Sequence, residues 1–332
     1  MKLHLILALL ISYYLSNPIF GKENNQAPVV NILATDNGVG MSRDMRILET
    51  ELVEMGYQVN LISTAPHSKG YPQEIPKAEY NIFIEHTYSS LFKYAKKNYF
   101  IPNPEWYLSH WTILSGIDLV LCRTKEVQRI FNIFNVKTHY IAFTSLDRFN
   151  PAIEKDFGKI LHLKGKSIAK GTSTIIDLWK TCYYFPTLDL VGHDFVGPVC
   201  ANIHYYSNYL TEKALLNLTN QCGIHLCPSE TEGFGHYIME AMSASAVVVT
   251  TDAPPMNEFI KDKRCLVQYH KKSRTNLATC YYVDPLELQL TITTLLDLPD
   301  EELQKIGELN RANYLYFQNF FKTEMKILFK RN

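Results

Sequence analysis

The sequence predicts an α/β protein of two parallel-sheet domains, on three observations. Its 332 residues exceed one typical domain and suit two of about 150. Apolar runs of strand length alternate with stretches of helical spacing, as crossover connections require and hairpins do not. Between residues 144 and 159 this alternation lapses into polar and charged residues with Pro151 and Gly158, after which a second series begins. That hinge region divides a domain over 27–150 from one over 151–310.

The elements follow in order. Met1 to His4 open an apolar run that ends at Leu15, and residues 16–21 lead to the polar 22–26. A run of about 13 residues matches the core of a secretory signal and is short of the roughly 20 a spanning helix needs. Residues 1–21 therefore read as a signal peptide cut near Gly21 or as an uncleaved signal anchor, since Ile19 spoils the small-residue pattern before the cut. A buried first strand is a further reading. The expected location is the secretory pathway or a membrane. In the first domain, strands are expected at 29–35, 57–63, 81–85, 118–122 and 139–143. A helix over 43–55 sets Met45, Leu48, Leu52 and Met55 at core spacing and stops at Gly56, and another covers 124–134. The second domain has strands at 160–164, 188–191, 202–205, 224–227 and 247–251, with helices at 174–184, 210–220 and 235–244. The tail over 301–330 is largely helical.

Composition bounds the function. At 46% apolar and 12% aromatic, the chain has material for two cores. Its 33 Lys and Arg equal its 33 Asp and Glu, so no net field gathers polyanions and nucleic acid is not an expected partner. The seven cysteines form no C-x-x-C pair and no His/Cys zinc spacing, so no metal is expected. Cys122 and Cys227 lie in apolar strand patterns as small hydrophobes. In an oxidising compartment Cys200, Cys222, Cys265 and Cys280 are the expected disulfide partners, in a pairing the sequence does not reveal.

Function is written most densely between Leu226 and Thr251. An apolar strand runs into Pro228 and Ser229, a glycine-bearing turn follows, and helical spacing begins near Gly235 with Ile238, Met239 and Met242 as its apolar face. Such a loop lies at the carboxyl end of its strand, where a helix N-terminus offers free N–H groups and partial positive charge to a phosphate. Glu232 precedes the helix, and Glu240, one turn and more inside it, reaches a hydroxyl of the same ligand.

Written as Pro228-Ser229-Glu230-Thr231-Glu232-Gly233-Phe234-Gly235 with Glu240-Ala241-Met242, this block resembles the hallmark of the group 1 (family 4) glycosyltransferases. The resemblance implies the GT-B fold, two Rossmann-like domains facing a cleft, with a C-terminal helix over 311–332 crossing back to the N-terminal domain. It implies a hexosyltransferase-type enzyme that moves a sugar from a nucleotide-sugar donor, with Glu232 on the donor sugar, Glu240 on the ribose, and Gly233, Phe234, Gly235 and His236 cradling the diphosphate. The donor is a substrate, and no cofactor is expected. The second-domain loop Lys164 to Thr172 is similar to the family's G-R-x-x-x-x-K-G loop, which gives Lys166 and Lys170 to the diphosphate, although Lys replaces Arg and the loop is one residue shorter. A lysine-bearing loop at a strand end is suited to the charge on a leaving group.

Gly38-Val39-Gly40 after the first strand resembles the family's glycine-rich first loop, with Gly38 and Gly40 toward donor phosphate and acceptor, and a tight turn as the plainer reading. Arg43 is a cleft cation or a surface residue. His86 closes the strand at 81–85, where an N-domain histidine of the family meets the donor sugar, so His86, Glu232 and Lys170 are the catalytic candidates. His110 and His193 carry weaker signals. The segment Asn103-Pro104-Glu105-Trp106 lines the acceptor cleft or is a structured loop. Glu258 matches the family's Glu after the next strand and steadies its loop, while Ser245 and Val247 depart from the usual glycine and proline. The resemblance also implies retention of configuration without a metal. The acceptor is a glycan, lipid or protein. The apolar and basic tail over 317–331 packs on the neighbouring domain or rests on an anionic membrane. The alternative from another class is an inactive GT-B subunit that binds or stabilises a partner.

Overall fold

The computed structural model describes residues 27–38, 40–64, 72–107 and 111–330. The expected signal over 1–21, Val39 and His110 lie outside the described residues.

The first domain comprises β1 (Val29–Ala34), α1 (Gly40–Glu54), β2 (Gln58–Ser63), β3 (Ala78–Ile84), β4 (Ala95–Ile101), β5 (Leu119–Cys122), α2 (Lys125–Phe131) and β6 (Thr138–Tyr140). Its strands form one parallel sheet in the order β2-β1-β3-β4-β5-β6. Strand β4 is absent from the sequence expectation because it opens on the exposed Lys96 and Lys97 and turns apolar only at Tyr99. A row of asparagines ties four strands together. Asn60 Nδ2 donates to Asn31 Oδ1 at 2.9 Å, Asn31 Nδ2 to Asn81 Oδ1 at 3.0 Å, and Asn81 Nδ2 to Asn98 Oδ1 at 3.0 Å. Asn31, Asn81 and Asn98 are buried, and each Nδ2 also finds a carbonyl, of Pro76, Leu91 and Phe92 respectively. A one-residue slip of any strand would strand these amides in the core, so the row specifies register as well as stability.

The second domain comprises β7 (Asp156–Leu163), α3 (Thr172–Thr181), β8 (Leu188–Val191), β9 (Ile203–Tyr206), α4 (Glu212–Gln221), β10 (Cys222–Cys227), α5 (His236–Ser243), β11 (Val247–Thr251) and β12 (Leu266–Val267). They make a second parallel sheet, β12-β11-β10-β7-β8-β9. A hairpin of β13 (Tyr269–Thr275) and β14 (Ala278–Val283), then α6 (Pro285–Leu296) and α7 (Asp300–Leu328), complete the chain. The hairpin and α6 were not expected: β13 reads Tyr-His-Lys-Lys-Ser-Arg-Thr, too polar to register as a strand.

The linker is shorter than the expected hinge because β7 already begins at Asp156. It is pinned to the second domain, where Arg148 N donates to Ser243 Oγ at 2.9 Å and Asn220 Nδ2 to the Arg148 carbonyl at 2.7 Å. Helix α7 starts at Asp300, one residue before the expected helical tail, and serves both domains. On the second, Asn310 Nδ2 donates to the Ala246 carbonyl at 2.9 Å and Asn313 Nδ2 to that of Phe259 at 2.6 Å. On the first, Glu324 meets His139 at 2.6 Å, Phe321 packs edge-on to Phe143, and Phe329 enters the cluster of Tyr57, Tyr80 and Tyr99. The apolar side of the tail is therefore buried by the chain itself, at Phe317, Phe321, Met325 and Phe329. Among the described residues no helix is long and apolar enough to cross a membrane. All seven cysteines are free, and Cys200, Cys222, Cys265 and Cys280 do not pair.

Ser245, where the resembled family has glycine, adopts φ 59, a left-handed conformation that costs a side chain about 1 kcal/mol. Ser245→Gly is expected to raise stability by about 0.5–1 kcal/mol in urea denaturation. Asn81→Leu, in the middle of the asparagine row, is expected to cost about 2–4 kcal/mol, and Asn60→Leu at its half-buried end about 1 kcal/mol or less. Equal costs at the two positions would mean that the row does not act as a buried network.

Candidate functional site

The carboxyl ends of β1, β3, β4 and β5 face those of β7 and β10, and the chemistry-bearing side chains of both domains meet there. The lysine loop after β7 comes first. Gly171, at φ 66, lets it turn flat onto the next strand's exit, since a Cβ there would run into the Pro228 carbonyl oxygen. His162, buried under the loop, donates from Nδ1 to the Leu226 carbonyl and accepts from Thr172 Oγ1 at Nε2, each at 2.8 Å. Burial brings its pKa down to about 4, so it stays a neutral strut. Thus placed, Lys170 pairs with Glu232 and lies 3.8 Å over the Tyr237 ring. Glu232 also accepts from Ser229 Oγ at 2.5 Å. The Pro-Ser turn and the lysine loop, 62 residues apart, thereby present one ammonium and one carboxylate beside the N-terminus of α5.

The glycine turn passes Gly233, Phe234 and Gly235 into α5. The Phe234 side chain is interior, packed edge-on against Phe143, His236 and Phe259, so it offers only its backbone to the cleft. His236 does more than supply a backbone N–H, the role expected for it. Its Nε2 donates to Asp44 Oδ1 at 2.7 Å and its Nδ1 meets Ser145 Oγ at 2.6 Å, which joins α5 to α1 and to the linker. Arg123, just after β5, holds the other Asp44 oxygen at 2.7 Å. Burial alone would raise the Asp44 carboxyl, but the charges of Arg123 and His236 outweigh it and hold the group below its ordinary value.

Glu240 is buried and meets two arginines, Arg43 from α1 at 2.5 Å and Arg148 from the linker at 3.6 Å. Arg43 is thus a cleft cation. Glu258 does not steady its own loop alone. Its two oxygens accept from Lys125 N at 2.7 Å and Glu126 N at 2.8 Å, capping α2 across the domain boundary.

The other candidates are placed differently. His86 follows β3 with Nε2 at 3.4 Å from Glu85 Oε1, half-buried at the cleft end of the first sheet. Lys166 is exposed and stands outside the Lys170–Glu232 pair. Gly38 and Gly40 have open space where a Cβ would stand, and Gly38 N donates to Ser42 Oγ at 2.7 Å, so their loop is held locally. His193 pairs with neighbouring Asp194 on an exposed loop. Among the described residues no three His, Cys, Asp or Glu side chains converge as metal ligands would.

The sequence reading missed Asp44, Glu85 and Arg123 and left Asn103-Pro104-Glu105-Trp106 undecided. Asn103 Nδ2 donates to Glu85 Oε2 at 2.7 Å, and Arg123 donates to Asn103 Oδ1. Glu105 Oε1 accepts from Gly233 N at 2.9 Å. Burial pushes the Glu105 carboxyl up to about 7, the nearby Glu232 and Glu85 raising it further and Arg123 opposing them. The one local signal for this group was a charged residue, Asp44, on the side of α1 that buries Met41, Met45 and Leu48.

Residues 201–305 match the model of the family described as glycosyl transferases group 1. No curated protein matches the sequence. Among solved structures, sucrose-phosphate synthase from Thermosynechococcus elongatus is similar at a TM-score of 0.69 and 14% identity, over 92% of this chain and 98% of that one. A glycosyltransferase from Rickettsia africae gives 0.66 at 14% identity, over 92% and 100%. Anabaena HepE in complex with UDP and glucose gives 0.62 at 15% identity, over 91% and 99%. At such identities the likeness establishes the two-domain fold.

Because the Glu105 pKa is raised in the folded chain, folding takes up a proton there. Its contribution to stability is greatest in acid and declines as pH rises from the ordinary carboxylate range through about 7. Glu105→Gln is expected to flatten the fall in urea-denaturation stability between about pH 5 and pH 7.5. An unchanged slope would place the proton elsewhere.

Proposed function

We infer that this chain, which carries a group 1 glycosyl transferase domain over residues 201–305 on a GT-B fold, moves a sugar from a nucleotide-sugar donor to an acceptor hydroxyl. The observation that carries the reading is the meeting of Lys170 and Glu232 beside the N-terminus of α5. A diphosphate set there would lie between an ammonium and unpaired helix N–H groups, both of which gain energy as negative charge develops on the leaving phosphate. Lys170 then exchanges a carboxylate partner for a phosphate, and Glu232, relieved of it, accepts from a hydroxyl of the sugar. Lys166, exposed at the rim, is free to swing onto the outer phosphate. Glu240 takes the ribose from the far side, which requires Arg43 to yield its 2.5 Å contact. Gly38, Gly40 and His86 bound the opposite wall, where the acceptor, a glycan, lipid or protein, approaches.

Charge neutralisation on the leaving group falls in this scheme to lysine and helix dipole, without a divalent ion. The transfer retains configuration, the departing phosphate itself taking the acceptor's proton. Closure of the two domains excludes water, which would otherwise act as acceptor. Residues 1–21 direct the chain to the secretory pathway or hold it at a membrane, on the strength of the apolar run to Leu15. Reporter secretion from a fusion to residues 1–26 checks this, and retention of the fusion in the cytosol would refute it.

The first test is thermal stabilisation of the full-length chain by UDP, GDP and ADP with EDTA present, UDP leading because the similar HepE structure holds UDP and glucose. One nucleotide at about 100 times its Kd is expected to add roughly 2.7 kcal/mol, a rise of several degrees. Lys170→Ala and Glu240→Gln should abolish it. No shift with any nucleotide would favour the inactive, partner-binding subunit.

A further inference from the structure

The loop after β4 lies face down on the glycine turn. Glu105 Oε1 takes the Gly233 N–H at 2.9 Å, while its Oε2 is sealed from solvent and has no hydrogen-bond partner. A Cβ on Gly233 would run into Asn103 Oδ1 and crowd Glu105 Oε1 at 3.0 Å, so the loop fits only because the turn has no side chain there. The second domain also grips the loop from behind. At the tip of the β13–β14 hairpin, Asn276 Nδ2 donates to the Glu105 carbonyl at 2.6 Å and Leu277 N to that of Pro104 at 3.2 Å. The charged and titratable groups around the carboxyl are Glu232 on the glycine-turn side, Glu85 after β3, Arg123 after β5 and Cys280 on β14. Of these, Arg123 is committed to Asp44 and Asn103, and Glu232 to Lys170 and Ser229.

We propose that Glu105 belongs to the donor site although it comes from the opposite domain: it takes the Gly233 N–H and sets donor affinity by competing with a donor oxygen for it. The inference rests on the donor reading above. One N–H makes one strong hydrogen bond, so a donor oxygen on Gly233 and the Glu105 carboxyl exclude each other. The contact is poised to release, because it leaves Oε2 buried and unsatisfied, at a cost that opening refunds through hydration. The chain then binds its donor only from the fraction of molecules whose loop has lifted, and the measured Kd is the intrinsic one divided by that fraction.

The test is calorimetric binding of UDP, GDP and ADP to the full-length chain and its variants, with hydrogen exchange at the Gly233 amide. Glu105→Ala is expected to tighten whichever nucleotide binds by about tenfold, the worth of one net hydrogen bond, and to speed exchange at Gly233. Glu105→Gln, whose amide oxygen still accepts the N–H, should behave as the unaltered chain. Asn276→Gly removes the grip from behind at an exposed residue whose φ of 50 suits glycine, and should tighten binding in the same direction by a smaller factor should Glu105→Ala not fold. Affinity that is unchanged or weaker in Glu105→Ala and Asn276→Gly overturns the proposal, as does Gly233 exchange indifferent to Glu105. If no protein binds any nucleotide, the donor reading falls and this one with it, and the exchange data still report whether the carboxyl holds the amide.

Discussion

Asp44 is a carboxylate with almost no water around it, and it stays ionised because Arg123 and His236 approach it from two directions. Arg123 belongs to its own domain and His236 to the other. The three side chains therefore form a node that exists only when the two sheets face each other at one distance and one angle. A buried ion pair of this kind is weak as a source of net stability, because desolvation offsets most of the attraction, but it is severe toward any geometry that would separate its members. Arg43 on Glu240 and Glu258 at the N-terminus of α2 repeat the logic at the flanks.

Behind that node, each sheet must deliver its strand ends in the same plane. In the first domain the asparagine row achieves this by making register a matter of buried hydrogen bonds rather than of apolar contact alone, since valine and isoleucine tolerate a slip that an amide does not. In the second, the neutral His162 ties the lysine loop to the strand that carries the Pro-Ser turn. Helix α7 then crosses from one domain to the other, and its aromatic end among Tyr57, Tyr80 and Tyr99 lets the hinge linker remain short without leaving the domains free.

Much of this was legible. Strand and helix alternation, the hinge stretch and the helical tail are local patterns, and local patterns survive in a linear string. The block from Pro228 to Met242 was legible for the same reason, because a strand exit, a turn and a helix start must follow one another in the chain. Lys170 was within reach as a lysine loop after a strand. Strands β4 and β13 escaped because each carries two consecutive lysines, Lys96 and Lys97 in one and Lys271 and Lys272 in the other, which break the apolar signature on which a strand is recognised.

Glu105, Arg123 and Asp44 are a different matter. Glu105 finds its partner 128 residues away and Asp44 meets His236 across 192, so no window of sequence contains both halves of either contact. The residue types are ordinary surface types, and only burial makes them exceptional. By itself the sequence determined the two α/β domains, the helix start after the glycine turn and the identity of the carboxylates and lysines near it, because hydrophobic period and turn chemistry are properties of neighbours along the chain. Tertiary structure alone decided which of those charges face one another, which remain in water and which lose it, because desolvation and Coulomb energy depend on distances that the fold creates.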